Sequence, residues 1–333
     1  MLTTTVRTLI RRHPAQAMRS FASTSSASDL NYAIQMVRSH DPVGYVPGQL
    51  LPDKDMKETY YGVRSFWVET GLRFGTTAMV PPYSTPDVHL EWWREGINHV
   101  YSENNLPSDW KHPTLHFLQD LVKRHDLSKE HFDDIIHGRD KDLDMKQYKT
   151  LADLSDHARM SCGSLFSLVL ESGNITEQNN PAAHDAARLV GIAHGITNAL
   201  RLSIPLVSTT GKLIVPEDLC LVHNVRSPRY LLSALGQGDT ECKRSLQEAV
   251  SDIAKKARSH LQEARELSSA MLLEEHGAKA VSVLIPGVAS EVFLDRLATK
   301  GYDLTDKNLR NVGFMEQTVC VGKMVAAYYG KTY

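Results

Sequence analysis

Residues 191–216 read GIAHGITNALRLSIPLVSTTGKLIVP, and this stretch decides the fold. Within it and just before it, apolar side chains recur at spacings of three and four residues, which is typical of one buried helical face. The spacing predicts a helix over residues 182–202, followed by a link that ends at Pro216. Leu202, Ile204 and Pro205 follow the repeat, and none of these side chains offers an oxygen to a metal ion.

Six residues of this stretch resemble, in their order, a motif of the squalene/phytoene synthase superfamily: Gly191, Ala193, Thr197, Asn198, Arg201 and Pro216. Catalytic members read G-x-A-x-Q-L-T-N-x-x-R-D, and a second aspartate follows a few residues later. Here Leu202 stands at the first aspartate, and residues 203–206 supply no second one. Such aspartates hold the Mg²⁺ that neutralises a departing diphosphate. The resemblance therefore implies the scaffold of a prenyl-diphosphate enzyme without its magnesium ligands.

A second phrase, YGVRSFWVETG at residues 61–71, resembles the other aspartate motif of the superfamily. Tyr61 and Arg64 match that motif, while its three aspartates fall on Trp67, Val68 and Gly71. Glu69 is the one carboxylate in the phrase, and we expect a structural salt bridge from it to Arg64 or Arg73. We predict no catalytic residue and no metal site. The candidate residues of an inherited cavity are Tyr61, Arg64, Glu69, Asn198 and Arg201.

Two further segments resemble functional sites at first, but their sequences favour a structural role. Residues 90–97, LEWWREGI, resemble the superfamily's R-L-x-W-W-R-x-x-I. Because adjacent helical positions face different directions, we expect one tryptophan to pack inward and the other to meet a neighbouring helix. Residues 131–144 contain two histidines and five aspartates, a composition that suggests a magnesium or calcium site. Met145 stands where an EF-hand loop needs glycine, so we predict a solvated acidic turn.

Composition excludes several classes of function. The formal net charge is −2, from 37 basic and 39 acidic residues, which gives no sign of a nucleic-acid surface. The four cysteines are scattered without a CxxC pair, so we expect neither a zinc site nor a disulfide framework. Phosphate-loop and nucleophile-elbow motifs do not occur. No apolar run reaches the roughly 18 residues that would span a bilayer.

Residues 1–28 differ in kind from the remainder. They contain four arginines, many serines and threonines, and no acidic residue. This composition is typical of a mitochondrial transit peptide, and cleavage is expected between Phe21 and Ser28. We therefore predict a transit peptide over residues 1–28 and one domain over residues 29–333.

The rest of the chain predicts an all-α fold, since no alternating apolar run with a tight turn occurs. Asp29 is expected to cap a first helix that ends near Asp41, and residues 43–54, with two prolines and two glycines, are expected to form a loop. Helical spacing predicts further helices over residues 56–74, 87–101, 114–125, 128–136, 148–170, 182–202, 240–273, 290–299 and 312–328. The resemblance implies that these helices surround a central cavity, as in the isoprenoid-synthase fold.

The residues that follow the opening stretch narrow the resemblance. IVPEDLCLVHNV at residues 214–225 resembles the L-P-x-D-I-C-x-x-H-G-V of the mitochondrial complex I assembly factor 6 family, and the final KTY resembles the ending of that family. The resemblance implies an assembly factor for mitochondrial respiratory complex I that is not an enzyme and needs no cofactor. It also implies a place on the matrix side of the inner membrane, with assembly intermediates or other assembly factors as partners.

Two alternatives remain open. The first is an active isoprenoid or prenyl-diphosphate transferase, which would need Glu69 and a second carboxylate, Asp185 or Asp133, brought close by folding. The second is an isoprenoid or lipid carrier that uses the cavity without chemistry.

Overall fold

The computed structural model describes residues 26–71, 85–102, 106–144, 147–310 and 314–330. The described chain is helical and contains no strand in these ranges, which confirms the all-α fold predicted from the sequence. The N-terminal helices are α1 (Ser26–His40), α2 (Pro42–Leu50), α3 (Lys54–Gly71), α4 (Pro86–Val100), α5 (Pro113–His125), α6 (Lys129–Asp144), α7 (Leu151–Ala158) and α8 (Ser164–Ser172). The C-terminal helices are α9 (Pro181–Thr210), α10 (Glu217–His223), α11 (Pro228–Gly236), α12 (Thr240–Leu273), α13 (Gly277–Val283), α14 (Pro286–Thr299), α15 (Lys307–Arg310) and α16 (Phe314–Gly330).

The long helices α9 and α12 form the largest helix–helix contact. By length and composition α9 could cross a bilayer, which the sequence did not lead us to expect. Half of its apolar window is buried inside the protein, the usual position of a core helix. Around this pair, α9 also contacts α7, α8 and α14, while α3 contacts α1, α5 and α8. The core therefore forms one continuous cluster of buried side chains.

The predicted loop over residues 43–54 is wrong, because Pro42–Leu50 is a helix. Pro42 occupies the first turn, where its missing N–H is not needed, and the Asp41 carboxylate caps the helix by accepting from the Gly44 N–H at 3.0 Å. Gly48 is there for close packing, since a Cβ on it would lie 2.7 Å from the ring of Tyr60. Glycines that suggest a turn in the sequence are contact points in the folded chain.

Several predicted boundaries also need correction. The first helix begins at Ser26, before Asp29. The helix predicted over 148–170 is interrupted by a π-helical turn at Arg159–Gly163. The acidic segment, residues 131–144, is part of helix α6 and not a turn. Residues 72–74 and 312–313 of two predicted helices lie outside the described residues.

The helix over the opening stretch runs eight residues further than predicted, through Pro205 to Thr210. Ser203 and Val207 on the extension are buried, while Pro205 is exposed. Burial of one face therefore outweighs the hydrogen bond that Pro205 cannot donate. Gly211, with φ +71°, then ends the helix.

Candidate functional site

The candidate site lies between one face of α3 and one face of α9. With about 100° of rotation per residue, Arg64, Trp67 and Gly71 share a face of α3. His194, Asn198 and Arg201 share a face of α9 by the same spacing. The two phrases that resemble aspartate motifs, residues 61–71 and 191–202, lie on α3 and α9.

Arg64 spans the space between the two helices. It is 1% exposed; its Nε donates to Asp41 Oδ2 at 2.6 Å, and its Nη2 lies 2.5 Å from the same oxygen. Nη2 also lies 3.2 Å from Nε2 of His194 on α9. A Cβ added at Gly44 would come within 2.4 Å of Arg64 Nε, so glycine is required there. The charge of Arg64 is thus held by one carboxylate and one imidazole.

The protonation state of His194 follows from these contacts. Burial, with the cations Arg64 and Arg201 nearby, lowers the pKa of His194 well below its usual value. The neutral ring accepts from Arg64 at Nε2, which leaves the proton on Nδ1, 3.1 Å from Ser290 Oγ. His194 therefore couples α3 to α14 through α9.

Trp67 lies against two guanidinium groups. The Cζ of Arg64 lies 5.2 Å from the Trp67 ring and the Cζ of Arg139 lies 4.8 Å from it. Nη2 of Arg139 donates to the carbonyl of Trp67 at 2.9 Å. A Cβ on Gly71 would lie 2.7 Å from that guanidinium. Two arginines therefore pack against the indole and the adjacent end of α3.

On the α9 side, Arg201 serves as a structural clamp. Nη1 donates to Asn198 Oδ1 at 3.1 Å, and Nη2 donates to the carbonyl of Ala289 at 3.2 Å. Its Cζ lies 4.6 Å from the ring centre of Phe293. Burial lowers the pKa of Arg201 to about 10, which leaves the group charged at neutral pH. Leu202, the next residue, is 53% exposed.

Tyr61 is completely buried and belongs to the packing between α3 and α2. Its hydroxyl donates to the carbonyl of Tyr45 at 2.8 Å and accepts from Gln49 at 2.5 Å. The hydrogen bonds of Tyr61 thus lie within the α2–α3 pair.

The predicted salt bridge of Glu69 to Arg64 is wrong, and Arg73 lies outside the described residues. Glu69 is five residues after Arg64, which places it about 140° around α3. Its Oε1 accepts from Ser65 at 3.2 Å and from Thr114 at 2.9 Å, and its Oε2 lies 3.0 Å from His112 Nε2. Glu69 thus belongs to a buried cluster with α5 and faces away from α9.

The second carboxylates proposed for a catalytic alternative lie elsewhere. Asp185 pairs with Arg188 on the exposed surface of α9, and Asp133 pairs with Lys129 at 2.8 Å on α6. Neither is among the contacts of Glu69. Within the described ranges, no group of three histidine, cysteine, aspartate or glutamate side chains could hold a metal ion.

The acidic segment is used for joining helices. Asp134 accepts from Ser164 at 3.0 Å, Asp140 pairs with Arg94, and Asp142 lies 2.9 Å from His157 Nε2. Burial alone would raise the pKa of Asp142, but His157 and nearby cations outweigh it and lower the pKa. Asp134, Asp140 and Asp142 therefore contact α4 and the segments around the π-helical turn, which corrects the prediction of a solvated turn.

Trp92 and Trp93 divide as the helical rule predicts. Trp93 is completely buried, and its ring meets Phe66 edge to face at 5.4 Å. Trp92 is partly exposed and stacks on Trp110 at 4.9 Å between ring centres. Trp110 lies in the segment that precedes α5, so Trp92 stacks on a residue outside any helix, where a neighbouring helix was expected.

Sequence reasoning missed Asp41, Arg139 and His194. Asp41 precedes a proline and was taken as the end of a helix, and Arg139 lies 75 positions after Arg64 in the chain. His194 could have been found, because it precedes Asn198 by four residues and Arg201 by seven on one helical face. For Asp41 the following proline is a local signal of a helix start but not of a contact with Arg64, and for Arg139 no local signal exists.

These helices and the paired faces of α3 and α9 define a scaffold of the prenyl-synthase type. Comparison with known proteins gives the same class. The family model of squalene/phytoene synthase matches residues 75–315, well over half of the chain. The chain belongs to the squalene/phytoene synthase family.

Comparison with individual named proteins narrows the similarity within this family. The chain is 27% identical to a protein of Bos taurus called NADH dehydrogenase (ubiquinone) complex I, assembly factor 6, over 89% of this chain and 83% of that one. The Homo sapiens protein of the same name is 26% identical over 84% of this chain and 77% of its own. The resemblance to assembly factor 6 proteins, predicted from the motifs, is confirmed.

Solved structures support the fold. A dehydrosqualene synthase in complex with a ligand aligns with a TM-score of 0.70 at 18% identity, over 92% of this chain and 98% of that one. A squalene synthase of Alicyclobacillus acidocaldarius aligns with a TM-score of 0.66 at 17% identity, over 85% and 97% of the two chains. These likenesses establish the isoprenoid-synthase fold predicted from the sequence.

Proposed function

We propose that this protein is a non-catalytic assembly factor for mitochondrial respiratory complex I. The observation that carries the loss of catalysis is the environment of Trp67, which lies against Arg64 and Arg139 at a position where catalytic relatives have aspartate. The role in assembly is supported by relatives named complex I assembly factor 6, which match this chain over most of its length.

The chemistry of prenyl transfer argues for the same conclusion. Ionising a diphosphate requires Mg²⁺ held by carboxylates, because charge builds up on the leaving group. At the aspartate positions this chain has Trp67, Val68, Gly71 and Leu202. Glu69 cannot substitute, since it faces α5 and already accepts from Ser65 and Thr114.

We further propose that the protein acts on the matrix side of the inner membrane. The arginine-rich, acid-free residues 1–28 support import as a transit peptide, and residues 29–333 would then be the working domain. Residues 1–25 lie outside the described residues. The partners we propose are assembly intermediates of complex I or other assembly factors.

The test of the assembly role is deletion of the gene in cells that respire. We expect less assembled complex I on a native gel, unchanged amounts of the other respiratory complexes, and recovery when the full chain is expressed again. Normal complex I in the deleted cells would overturn the assembly role.

Catalysis is tested separately with the purified full chain, Mg²⁺, a reductant, and farnesyl or geranylgeranyl diphosphate. We expect no release of pyrophosphate above a control without protein. Release that disappears in Glu69→Ala would establish the transferase alternative. An isoprenoid or lipid that co-purifies with the chain, identified by mass spectrometry, would establish the carrier alternative.

A further inference from the structure

The last turns of α9, residues 202–210, expose a helical face that carries no charge, and we call them the α9 extension. Leu202 is 53% exposed, and Pro205 and Thr209 are exposed as well. These positions are three and four residues apart, so their side chains form one stripe along the helix. The extension contains no charged residue. A stripe of this length without a charge is apolar surface in contact with the surroundings of the protein.

The polar side chains of the extension are satisfied within the helix. Each of its four hydroxyl groups donates to the carbonyl four residues earlier, at 2.8–3.4 Å: Ser203 to Ala199, Ser208 to Ile204, Thr209 to Pro205 and Thr210 to Leu206. Serine and threonine make the same bonds in helices that lie in apolar surroundings. Residues 202–210 therefore offer aliphatic groups to a partner and no free hydroxyl proton.

The core covers only part of the extension. By length and composition α9 could cross a bilayer, and half of its apolar window is buried inside the protein. In the extension Ser203 and Val207 face the core, whereas Ile204 and Leu206 are only partly buried. These two side chains flank the exposed stripe, so the apolar surface is wider than Leu202 and Pro205 alone.

The charged groups at the two ends of the extension are held by other parts of the fold. Arg201, just before it, donates to neutral oxygens of α9 and α14. Nζ of Lys212, just after it, donates to carbonyl oxygens at the end of α6. Asp142 in that part of α6 pairs with His157 at 2.9 Å. The charges that border the extension are thus engaged within the protein.

The end of α12 provides an internal comparison. Leu272 and Leu273 are 41% and 89% exposed, and they are followed directly by Glu274 and Glu275. Carboxylates so close to apolar groups oppose entry into hydrocarbon, because a charge loses its hydration there. Along the chain the extension has no such neighbour, since no acidic residue occurs from position 186 to position 216.

We propose that the α9 extension docks on the surface of a phospholipid bilayer. Leu202 and Pro205 enter the boundary between headgroups and acyl chains, and Ile204 and Leu206 lie at the sides of this contact. An uncharged face whose hydroxyls are bonded internally fits hydrocarbon, which accepts no hydrogen bond, better than it fits a polar protein surface. The inference rests on the proposed function only for the identity of the membrane, the matrix face of the inner membrane.

The first test measures co-sedimentation of the full chain with neutral phosphatidylcholine vesicles. Leu202→Asp with Thr209→Asp places two carboxylates on the exposed stripe, and we expect binding to weaken about tenfold or more, because each charge has to leave water. Leu272→Asp with Ser269→Asp is the matched control, since it adds the same charge at exposed positions of α12 and should bind as the unsubstituted chain does. All proteins keep residues 1–28, so the contribution of that segment is equal.

The second test reports the position of the extension directly. Tryptophan is placed on it by Leu202→Trp, or at the end of α12 by Leu272→Trp, and its fluorescence is followed with brominated phospholipids. We expect quenching for L202W and none beyond the background of the native tryptophans for L272W.

Three outcomes would overturn the proposal: no binding of the unsubstituted chain to vesicles, equal binding of the two aspartate pairs, or equal quenching at the two positions. A protein as the true partner of the extension would give the first of these. All four substituted positions are exposed, so unchanged midpoints of thermal unfolding would show that the aspartate variants are folded. None of these outcomes affects the deletion experiment, so failure of the docking surface is distinguishable from failure of the assembly role.

Discussion

At the scale of single residues, direction around a helix decides which groups can act together. Arg64 and Glu69 are five positions apart on α3, yet one meets Asp41 and His194 while the other meets Thr114 and Ser65. A salt bridge between them is natural to expect from the sequence alone. The rotation of the helix excludes it.

Removal of the Arg64 charge should destabilise the fold strongly. Arg64→Met leaves Asp41 without its partner, and we expect a loss of about 3 kcal/mol in the free energy of unfolding, measured by urea denaturation. Arg124→Met is the matched control, because Arg124 pairs with Asp55 and Glu58 at the surface and should cost no more than about 1 kcal/mol. Equal effects of the two substitutions would contradict this account.

His194 should contribute to the pH dependence of stability. Burial lowers its pKa in the folded protein, while in the unfolded chain the ring takes a proton near pH 6.5. The contribution of His194 is therefore complete above about pH 6.5 and is lost as the pH falls below that value.

The measurement is urea denaturation at several values between pH 7.5 and pH 5.5. His194→Gln can still accept a hydrogen bond from Arg64 but cannot bind a proton. We expect it to lose about 1 kcal/mol less stability than the unsubstituted chain over this interval. An identical loss in both proteins would show that His194 does not titrate on unfolding.

At the scale of elements, α9 organises the molecule through close approach to the π-helical turn. A Cβ on Gly191 would lie 2.5 Å from the Cα of Gly163, and one on Gly195 would lie 2.6 Å from the Cβ of Ala158. Small residues four positions apart thus let α9 touch the backbone of its neighbour. The glycine that begins the opening stretch is a packing requirement between helices.

Gly191→Ala should therefore destabilise the protein, because the added methyl group meets backbone that cannot rotate away. We expect a loss of about 2 kcal/mol in the free energy of unfolding. Gly322→Ala in α16 is the control, since its Cβ meets nothing within 4 Å and alanine favours a helix by up to about 1 kcal/mol. Stabilisation by both substitutions would contradict the close approach.

At the scale of the whole molecule, several buried histidines should make the fold sensitive to acid. Burial lowers the pKa of His89, His125, His194 and His260, which lie on α4, α5, α9 and α12. Each takes up a proton more readily in the unfolded chain, so stability should fall as the pH drops below about 6.5. We expect the midpoint of thermal unfolding to decline between pH 7 and pH 5.5, followed by circular dichroism. An unchanged midpoint would contradict this expectation.

The sequence by itself determined the helical class, the positions of most long helices and the family. The helices depend on apolar spacing within single segments, and the family depends on residues in a fixed order, such as those from Gly191 to Arg201. Both kinds of pattern involve residues that are close together in the sequence. For the same reason the sequence predicted the division of Trp92 and Trp93. The resemblance also predicts that Trp67 and Leu202 stand where the motifs have aspartates, which stays a prediction.

The contacts around Arg64 and Trp67 could be known only from the tertiary structure. Asp41, at the start of α2, and Arg64 on α3 meet His194, which lies 130 positions after Arg64 in the chain. Arg139 reaches Trp67 from α6. The close packing of Gly48 in α2 against the rings of Tyr60 and Tyr61 on α3 is likewise absent from any local pattern. Such features arise from burial and charge pairing across long sequence separations, which a one-dimensional pattern does not encode.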